Sequence, residues 1–374
     1  MIVCKQLLTK KGWRDDQAVE LNGSVIASVA DSGAASAACH YLVPGFIDVQ
    51  VNGGGGVLFN QSLNEDGLQK MSEAHLQYGT TAMMPTLITD SFDKMKQASQ
   101  AIEVAREQHN TSIIGVHFEG PWLSTARKGV HSERFIRPPS DDEIALLSNK
   151  KLGVVMVTLA PEHTPVDTIR TLSQAGVKVF LGHSDATAEQ VMAALEAGAI
   201  GFTHLFNAMS QLQSRAPGMV GSALASTHSY AGLIVDGYHV DPISCRAAIA
   251  AKGSERMMLV TDAMALAATS ETEVPFFDTQ IIREGDKLTT PDGTLAGSCL
   301  TMINAVRNTV NTCAVSLQDA VTMASTTPAT MLGLADSLGA VNPGYRADLI
   351  GLDEHMNITH IWQNGQEVAL TQEK

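Results

Sequence analysis

Short apolar runs rich in β-branched residues recur eight times along the chain, and most gaps between them are long enough to hold a helix. Such runs are typical of strands that are buried on both faces, as in a parallel sheet. They lie at residues 43–51, 79–87, 112–119, 152–160, 176–182, 199–204, 230–235 and 257–262. This alternation predicts an α/β fold, either a (β/α)8 TIM-like barrel or an open doubly wound sheet.

Four polar residues stand where one of these runs gives way to a loop, namely Glu119, His183, His204 and Asp262. Burying a carboxylate or an imidazole without a partner is costly, so such positions need an explanation. In a barrel the carboxyl ends of all strands surround one mouth, whereas an open sheet spreads them along an edge. The shared placement therefore favours the barrel and a single common site.

This set of side chains suits a divalent metal ion. Glu119, His183 and His204 supply one carboxylate and two imidazoles, and three protein ligands leave a position open for water. Asp262 is then free to handle protons. Zinc is the default ion for such ligands, but Fe2+, Co2+ or Mn2+ also suits them.

The two ends of the chain differ from the middle, because they contain short β-like runs and Asn-Gly turn signals. We expect residues 1–42 and 340–374 to pair into a small β-sandwich domain. The barrel then spans residues 43–339. A β-rich piece near 275–297 with two Gly-containing turns predicts a hairpin excursion from the barrel.

Composition argues against several classes of protein. The formal net charge of −14 disfavours nucleic acid or an anionic membrane as the main partner. No apolar run is long enough to span a bilayer, and the N-terminus lacks the pattern of a signal peptide. The five cysteines are scattered and include no C-x-x-C pair, which indicates reduced thiols. We therefore expect a cytoplasmic protein that acts on a small molecule.

The strand-end motifs carry a family resemblance when they are taken in order. They are Pro44-Gly-Phe-Ile-Asp-Val-Gln-Val-Asn52, His117-Phe-Glu-Gly-Pro-Trp122, Leu181-Gly-His-Ser184, Thr203-His-Leu-Phe-Asn-Ala-Met209 and Leu259-Val-Thr-Asp-Ala263. Together they resemble the N-acetylglucosamine-6-phosphate deacetylases, a family within the amidohydrolase superfamily of metal-dependent hydrolases. The resemblance covers nearly the whole chain and implies the same three metal ligands.

The resemblance also implies a reaction, the hydrolysis of N-acetyl-D-glucosamine 6-phosphate to D-glucosamine 6-phosphate and acetate. A metal-bound water would attack the acetamide. Asp262 resembles the general base that takes the proton of this water and passes it to the departing amine. His131 resembles the residue that hydrogen-bonds the acetyl carbonyl and stabilises the tetrahedral intermediate.

Gln50 and Asn52 stand at the two positions where the superfamily pattern has a His-x-His pair. Neutral amides are weak ligands for zinc, so we interpret them as vestigial second-metal positions. The sequence therefore predicts one divalent metal ion per chain.

The substrate should carry a phosphate, and Arg215 offers a fork of donors suited to it. His239 is a candidate for a second contact. The resemblance extends the substrate-binding set to Asn207, Ala208, Leu295, Ala296, Gly297 and Ser298. In some relatives the phosphate is contacted partly across a subunit interface, so we expect a homodimer.

Two other functions stay open. The first is the same reaction on N-acetylgalactosamine 6-phosphate, which differs from the gluco sugar in the orientation of one hydroxyl that no motif reads. The second is an inactive sugar-phosphate-binding barrel, because the absence of histidine at Gln50 and Asn52 could be taken as decay of the site. The presence of all three ligands and Asp262 argues against the second.

Overall fold

The computed structural model describes residues 1–33, 35–108 and 110–371, so the last three residues of the predicted segment 340–374 lie outside the described residues. The strands in chain order are β1 Ile2–Thr9, β2 Gly12–Asn22, β3 Val25–Asp31, β4 Cys39–Pro44, β5 Phe46–Val51, β6 Gly53–Gly54, β7 Val57–Leu58, β8 Thr80–Ile88, β9 Gly115–Glu119, β10 Val154–Leu159, β11 Lys178–Leu181, β12 Gly201–Phe202, β13 Tyr230–Leu233, β14 Met257–Leu259, β15 Glu273–Phe276, β16 Thr279–Glu284, β17 Lys287–Thr289, β18 Leu349–Leu352, β19 Ile358–Gln363 and β20 Gln366–Glu367. The helices are α1 Glu65–Leu76, α2 Phe92–Glu107, α3 Asp141–Leu147, α4 Val166–Gln174, α5 Ala188–Glu196, α6 Gly218–Ala225, α7 Pro242–Lys252, α8 Met302–Cys313, α9 Leu317–Ala324 and α10 Thr326–Leu332.

Eight strands form one parallel sheet in the order β5, β8, β9, β10, β11, β12, β13 and β14. Its first and last strands meet through a parallel bridge between Val51 and Ala263. The backbone N–H of Asp262 also donates to the carbonyl of Gln50 at 3.0 Å. The sheet therefore closes on itself, which confirms the barrel and removes the open-sheet alternative.

Local sequence explains why the elements of the barrel begin and end where they do. Every residue of β8 and β9 is buried, as expected for strands covered by helices on one side and by the barrel interior on the other. Helix α5 begins with a capping box between Thr187 and Gln190, and α7 begins with Asp241 as cap and Pro242 in its first turn. No helix in the described ranges has the length and apolar character of a membrane span.

The chain ends build a second sheet in the order β20, β19, β18, β4, β1, β2 and β3. The edge strand β3 also contacts the segment just before β18, since Val25 and Arg346 form an antiparallel bridge and the N–H of Ala347 donates to the carbonyl of Ser24 at 2.8 Å. The sheet encloses its own apolar core. The predicted small β-rich unit built from both termini is confirmed, while its boundaries at 42 and 340 stay a prediction.

Strands β15, β16 and β17 form an antiparallel sheet after the last barrel strand. The segment that follows returns to the barrel, because Ser298 forms a parallel bridge with Ala263. The N–H of Ser298 donates to the carbonyl of Asp262 at 3.0 Å. This return places residues 294–298 beside the mouth of the barrel.

Candidate metal centre and active-site cavity

Four strand ends of the barrel carry the polar residues that the sequence singled out. Glu119 is the last residue of β9, and His183 and His204 each follow their strands, β11 and β12, by two residues. Asp262 follows β14 by three residues. Because the carboxyl ends of parallel barrel strands surround one mouth, all four residues come together there, as predicted.

The backbone at three of these positions is held in the left-handed region. The φ angles are +47° at His183, +29° at His204 and +51° at Asp262. Residues other than glycine rarely adopt this backbone conformation, which costs about 1–3 kcal/mol at each position. Strain of this kind concentrates at functional sites, and here it turns the chain sharply so that each side chain points into the mouth.

The side chains of Glu119, His183 and His204 converge on one point. Oε1 of Glu119 lies 3.0 Å from Nε2 of His204 and 3.2 Å from Nε2 of His183. The two Nε2 atoms are themselves 3.0 Å apart. These three atoms form a compact triangle of the size that a metal ion about 2.0–2.2 Å from each ligand requires.

Neighbouring contacts prepare these residues for a metal. Nδ1 of His183 lies 2.8 Å from the carbonyl of Arg127, and a carbonyl can only accept, so the ring proton is on Nδ1 and the lone pair is on Nε2. Nδ1 of His204 is buried without a partner among the described residues, so no contact there forces its Nε2 to carry the proton. The donor set and its geometry fit a divalent ion.

The charge states of Glu119 and His204 are consistent with a metal site. Burial on its own raises the pKa of Glu119, but the hydrogen bonds with His183 and His204 and the charges of these two histidines together hold the pKa well below its ordinary value. Burial lowers the pKa of His204, yet the hydrogen bond with Glu119 and the negative charges of Glu119 and Asp262 together outweigh it, and the pKa is raised. Glu119 is therefore ionised, which is the form that binds a metal.

Asp262 lies beside the cluster and receives two amide donors. Nδ2 of Asn52 donates to Oδ1 of Asp262 at 2.6 Å, and Nε2 of Gln50 donates to the same oxygen at 3.1 Å. Burial first, and then the negative charge of Glu119, raise the pKa of Asp262. A cation held by Glu119 would oppose this second effect and favour the ionised form that a general base requires.

His131 reaches the mouth from the loop after β9, where the ring packs edge-on against His183 with centroids 4.3 Å apart. The backbone N–H of Thr89 donates to Nδ1 of His131 at 3.3 Å, and the Thr89 hydroxyl lies 2.8 Å from the same nitrogen. Burial, followed by the charge of His183, lowers the pKa of His131 to about 3. The ring is therefore neutral, and its proton is on Nε2, where it can be donated.

His239 is held by Asp236, three residues before it. Oδ2 of Asp236 accepts from Nδ1 of His239 at 2.6 Å, while Oδ1 accepts from the backbone N–H groups of Tyr238 and His239 at 2.8 and 2.9 Å. Burial opposes these contacts, but they lower the pKa of Asp236 overall. The Asp236 carboxylate therefore fixes the ring of His239 and leaves its Nε2 free for another partner.

A cavity of about 250 Å³ occupies the mouth. Its lining includes Asn52, Glu119, His131, His183, His204, Asn207, Ala208, His239, Asp262, Leu295 and Gly297, all of which the sequence had proposed. Gln50, Ala296 and Ser298 are buried but are not part of this lining. Arg215 is exposed and likewise does not line the cavity of its own chain.

The structure adds residues that sequence reasoning missed. Ile88, Gly129, Val130, Met264 and Thr294 also line the cavity, and all of them except Ile88 lie within two residues of a predicted site residue in the chain. Thr89 and Asp236 orient His131 and His239 without lining the cavity themselves. A signal existed only for Asp236, in the motif Asp236-Gly-Tyr-His239, because a threonine after a strand is common in any barrel.

A closed parallel barrel that gathers a carboxylate, two imidazoles and a separate aspartate at one mouth defines a metal-dependent amide hydrolase. Sequence comparison agrees. The chain belongs to the amidohydrolase family, whose model matches residues 41–368.

Known proteins resemble the chain over almost all of its length. It is 43% identical over 370 residues to an N-acetylgalactosamine-6-phosphate deacetylase from Shewanella sp. (strain ANA-3), covering 96% of this chain and 94% of that protein. The solved N-acetylglucosamine-6-phosphate deacetylase from Pasteurella multocida superimposes with a TM-score of 0.93 at 33% identity, covering 98% and 99% of the two chains. A mutant N-acetyl-D-glucosamine-6-phosphate deacetylase from Mycobacterium smegmatis, in complex with N-acetyl-D-glucosamine-6-phosphate, gives a TM-score of 0.90 at 31% identity, with 98% of each chain covered.

Proposed function

We propose that this protein hydrolyses the acetamide of an N-acetylhexosamine 6-phosphate to the free amino sugar phosphate and acetate. One observation carries the proposal: Oε1 of Glu119 and the Nε2 atoms of His183 and His204 converge within about 3 Å of one another, beside the carboxylate of Asp262. The similarity to deacetylases of two N-acetylhexosamine phosphates supports the substrate class.

Each residue of the site has a distinct part in this reaction. A divalent metal, when bound by Glu119, His183 and His204, lowers the pKa of water and polarises a carbonyl. Asp262 takes the proton of the attacking water and delivers it to the departing nitrogen. His131 donates from Nε2 to the acetyl oxygen as negative charge develops there. Zinc is the ion we propose, since one carboxylate and two imidazoles suit it.

The phosphate requires cationic or hydrogen-bonding partners. Among the described residues that line the cavity there is no lysine or arginine, and His239, whose Nε2 is free of the Asp236 contact, is the residue best placed to contact the phosphate. Arg215 is exposed on its own chain, where it is available to a neighbouring subunit. We therefore keep the predicted homodimer, in which Arg215 of one subunit contacts the phosphate bound by the other. We also keep the predicted cytoplasmic location, which the free, buried cysteines in the described ranges support.

The sugar epimer separates two candidates. The sequence-based prediction is N-acetyl-D-glucosamine 6-phosphate, and a structural relative in complex with that sugar supports it. N-acetylgalactosamine 6-phosphate is the second candidate, and the 43% identity to an N-acetylgalactosamine-6-phosphate deacetylase, against 33% and 31% for the two N-acetylglucosamine-6-phosphate deacetylase structures, favours it. Both use the same mechanism.

Acetate release from the purified protein with each epimer tests the function. We expect turnover of at least one epimer. The epimer with the higher kcat/KM is then the preferred substrate. Asp262→Asn should abolish turnover while elemental analysis still finds about one metal ion per chain. An unmodified protein that binds these sugar phosphates with its metal in place but releases no acetate would be the inactive binding barrel.

A further inference from the structure

His131 belongs to the stretch between β9 and α3, residues 120–140, which we call the β9–α3 segment. The residues directly before it, Gly129 and Val130, also line the cavity. The regular structure of this segment, all of it within the described ranges, is limited to two 3-10 turns of three residues each. Side-chain contacts must therefore fix the position of His131.

Both ends of the β9–α3 segment are tied to one carboxylate, that of Glu143 in the first turn of α3. Nε1 of Trp122, near the start of the segment, donates to Oε2 of Glu143 at 3.1 Å. Nε of Arg137, near its end, donates to Oε1 at 2.7 Å, and Nη2 of Arg137 lies 2.6 Å from the same oxygen. The Glu143 side chain is only 1% exposed, so water competes little for these contacts.

The two oxygens of Glu143 have different partners, and all of these partners are donors. Oε1 accepts from Arg137, whereas Oε2 accepts from Trp122 and also from the backbone N–H and the hydroxyl of Ser140, both at 3.0 Å. A side-chain amide has a single oxygen. Glutamine at this position could therefore serve one end of the β9–α3 segment but not both.

Arg137 extends this contact to the hydrogen-bond partner of His131. Its Nη1 donates to the carbonyl of Phe135 at 2.7 Å and to the carbonyl of Asp90 at 2.8 Å. Asp90 directly follows Thr89, whose backbone N–H donates to Nδ1 of His131 at 3.3 Å. Arg137 therefore holds both the segment that carries the His131 ring and the backbone beside its partner.

The first half of the β9–α3 segment has separate anchors, on the His183 side of the mouth. The N–H of Ser124 donates to the carbonyl of His183 at 2.9 Å. Nε and Nη2 of Arg127 donate to Oδ1 of Asp185 at 2.9 and 2.8 Å, and the Arg127 carbonyl faces Nδ1 of His183. Loss of contacts at the far end of the segment should therefore leave this metal ligand in place.

We propose that Glu143 is a positioning residue for the deacetylation, because its ion pair with Arg137 holds the ring of His131 toward the acetyl oxygen. The inference rests on the proposed function, which gives His131 this contact. Glu143 does not line the cavity itself and acts only through His131. A displaced donor stabilises the transition state less, so the loss of this ion pair should appear mainly in kcat.

Glu143→Gln tests the inference. Glutamine keeps the length of the side chain and suits the capping box of α3, while one end of the β9–α3 segment loses its acceptor. On the N-acetylhexosamine 6-phosphate that the unmodified protein prefers, kcat should fall about tenfold and KM should change by less than about threefold.

A double-mutant cycle with His131→Gln shows whether Glu143 acts through His131. In the His131→Gln background, Glu143→Gln should reduce kcat further by less than about twofold, because the residue through which it acts is already gone. A full tenfold loss in that background would overturn the inference.

Asp348→Asn is the matched control. Asp348 is 6% exposed and accepts from Nε of Arg346 at 2.7 Å, so this variant also breaks a buried ion pair. The pair lies at the amino ends of the barrel strands, since the N–H of Gly45, just before β5, donates to the carbonyl of Asp348 at 2.9 Å. Both variants should lower Tm, but only Glu143→Gln should lower kcat measured well below Tm. Equal losses of kcat in the two variants would show a purely structural role and refute the inference.

Hydrogen exchange provides a measurement that needs no turnover. In Glu143→Gln the backbone N–H of Thr89 should exchange about tenfold faster because its contact with His131 weakens, and Asp348→Asn should leave that rate unchanged. An unchanged rate in Glu143→Gln would overturn the inference whatever reaction the protein catalyses. A loss of metal in Glu143→Gln, measured by elemental analysis, would place its effect at His183 and would also overturn it. Absence of turnover by the unmodified protein on both epimers would instead refute the proposed function.

Discussion

Asp48 and Thr261 join the first and last strands of the barrel directly beneath the active site. The hydroxyl of Thr261 lies 2.5 Å from Oδ2 of Asp48, and Oδ1 of Asp48 accepts from the N–H groups of Gln50 and Thr261 at 3.2 and 3.4 Å. Asp48 is completely buried. Burial raises its pKa from 3.8 to about 7, although these hydrogen bonds oppose the rise.

This contact predicts a pH dependence of stability. Because the pKa of Asp48 is about 7 in the folded protein and 3.8 as its ordinary value, the folded state holds an extra proton between about pH 4 and pH 7. Linkage then requires that the contribution of Asp48 to the free energy of unfolding is present at low pH and is lost as pH rises through this window. Asp48→Asn is neutral at every pH. As the pH rises from 4 to 8, the free energy of unfolding of the variant should therefore increase, relative to that of the unmodified protein, by on the order of a few kcal/mol. Denaturant unfolding at each pH measures this difference.

Thr261→Val tests the same contact by removing its hydrogen-bond donor instead of its carboxylate. It removes a hydroxyl that lowers the pKa of Asp48, so the pKa should rise further. The pH range over which the unmodified protein loses the contribution of Asp48 should then extend to higher pH in this variant. A stability difference between Asp48→Asn and the unmodified protein that stays constant with pH would show that Asp48 is ionised throughout.

Asp236→Asn should weaken recognition of the phosphate. Asparagine keeps an oxygen for the two backbone N–H groups, but its amide nitrogen cannot accept from Nδ1 of His239. His239 would then lose its charge-assisted hydrogen bond to a carboxylate, and we expect KM for the sugar phosphate to rise about tenfold with a smaller change in kcat. Steady-state kinetics measures this effect.

The matched control for this prediction is Asp241→Asn. Asp241 caps α7 through the N–H of Ile243 and is exposed, and asparagine caps a helix equally well. It should leave KM unchanged. The same sugar without its phosphate should show little difference between Asp236→Asn and the unmodified protein, and an equal loss on both sugars would rule out a phosphate contact through His239.

His131→Gln should reduce kcat about 100-fold and leave KM within a few-fold. The N–H of Thr89 directs the proton of His131 to Nε2, and a donor aimed at developing oxyanion charge acts mainly in the transition state. Steady-state kinetics separates the two parameters. His163→Gln, an exposed loop substitution, is the control, and a rise in KM with unchanged kcat would show that His131 binds the ground state instead.

The barrel and the convergence of its polar strand-end residues could be predicted because their signals are local. Strands buried on both faces read as continuous apolar runs, and a polar residue at the end of such a run stands out. Glu119, His183 and His204 were found in this way. Strand ends were less certain, since β12 keeps only Gly201–Phe202 of the predicted run 199–204.

The partners of these residues could not be predicted, because each contact joins distant parts of the chain. The hydrogen bond from Asn52 to Asp262 spans 210 positions and that from Thr261 to Asp48 spans 213. Sequence reasoning treated Asn52 only as a missing ligand. Its role as a donor depends on the closure of the barrel, which brings the last strand beside the first.

Metal removal should abolish activity and lower stability together. Glu119, His183 and His204 come together only when the barrel is folded, so a metal held by them would stabilise the native state by about 2.7 kcal/mol at a free concentration one hundred times its Kd. Chelation should therefore lower Tm and remove acetate release, and added zinc should restore both. His204→Ala should lose the bound metal by elemental analysis, whereas exposed His228→Gln should retain it. Full acetate release by chelated protein with no detectable metal would contradict the assignment of these three residues, because no other group of histidine, cysteine and acidic side chains in the described ranges is arranged to hold an ion.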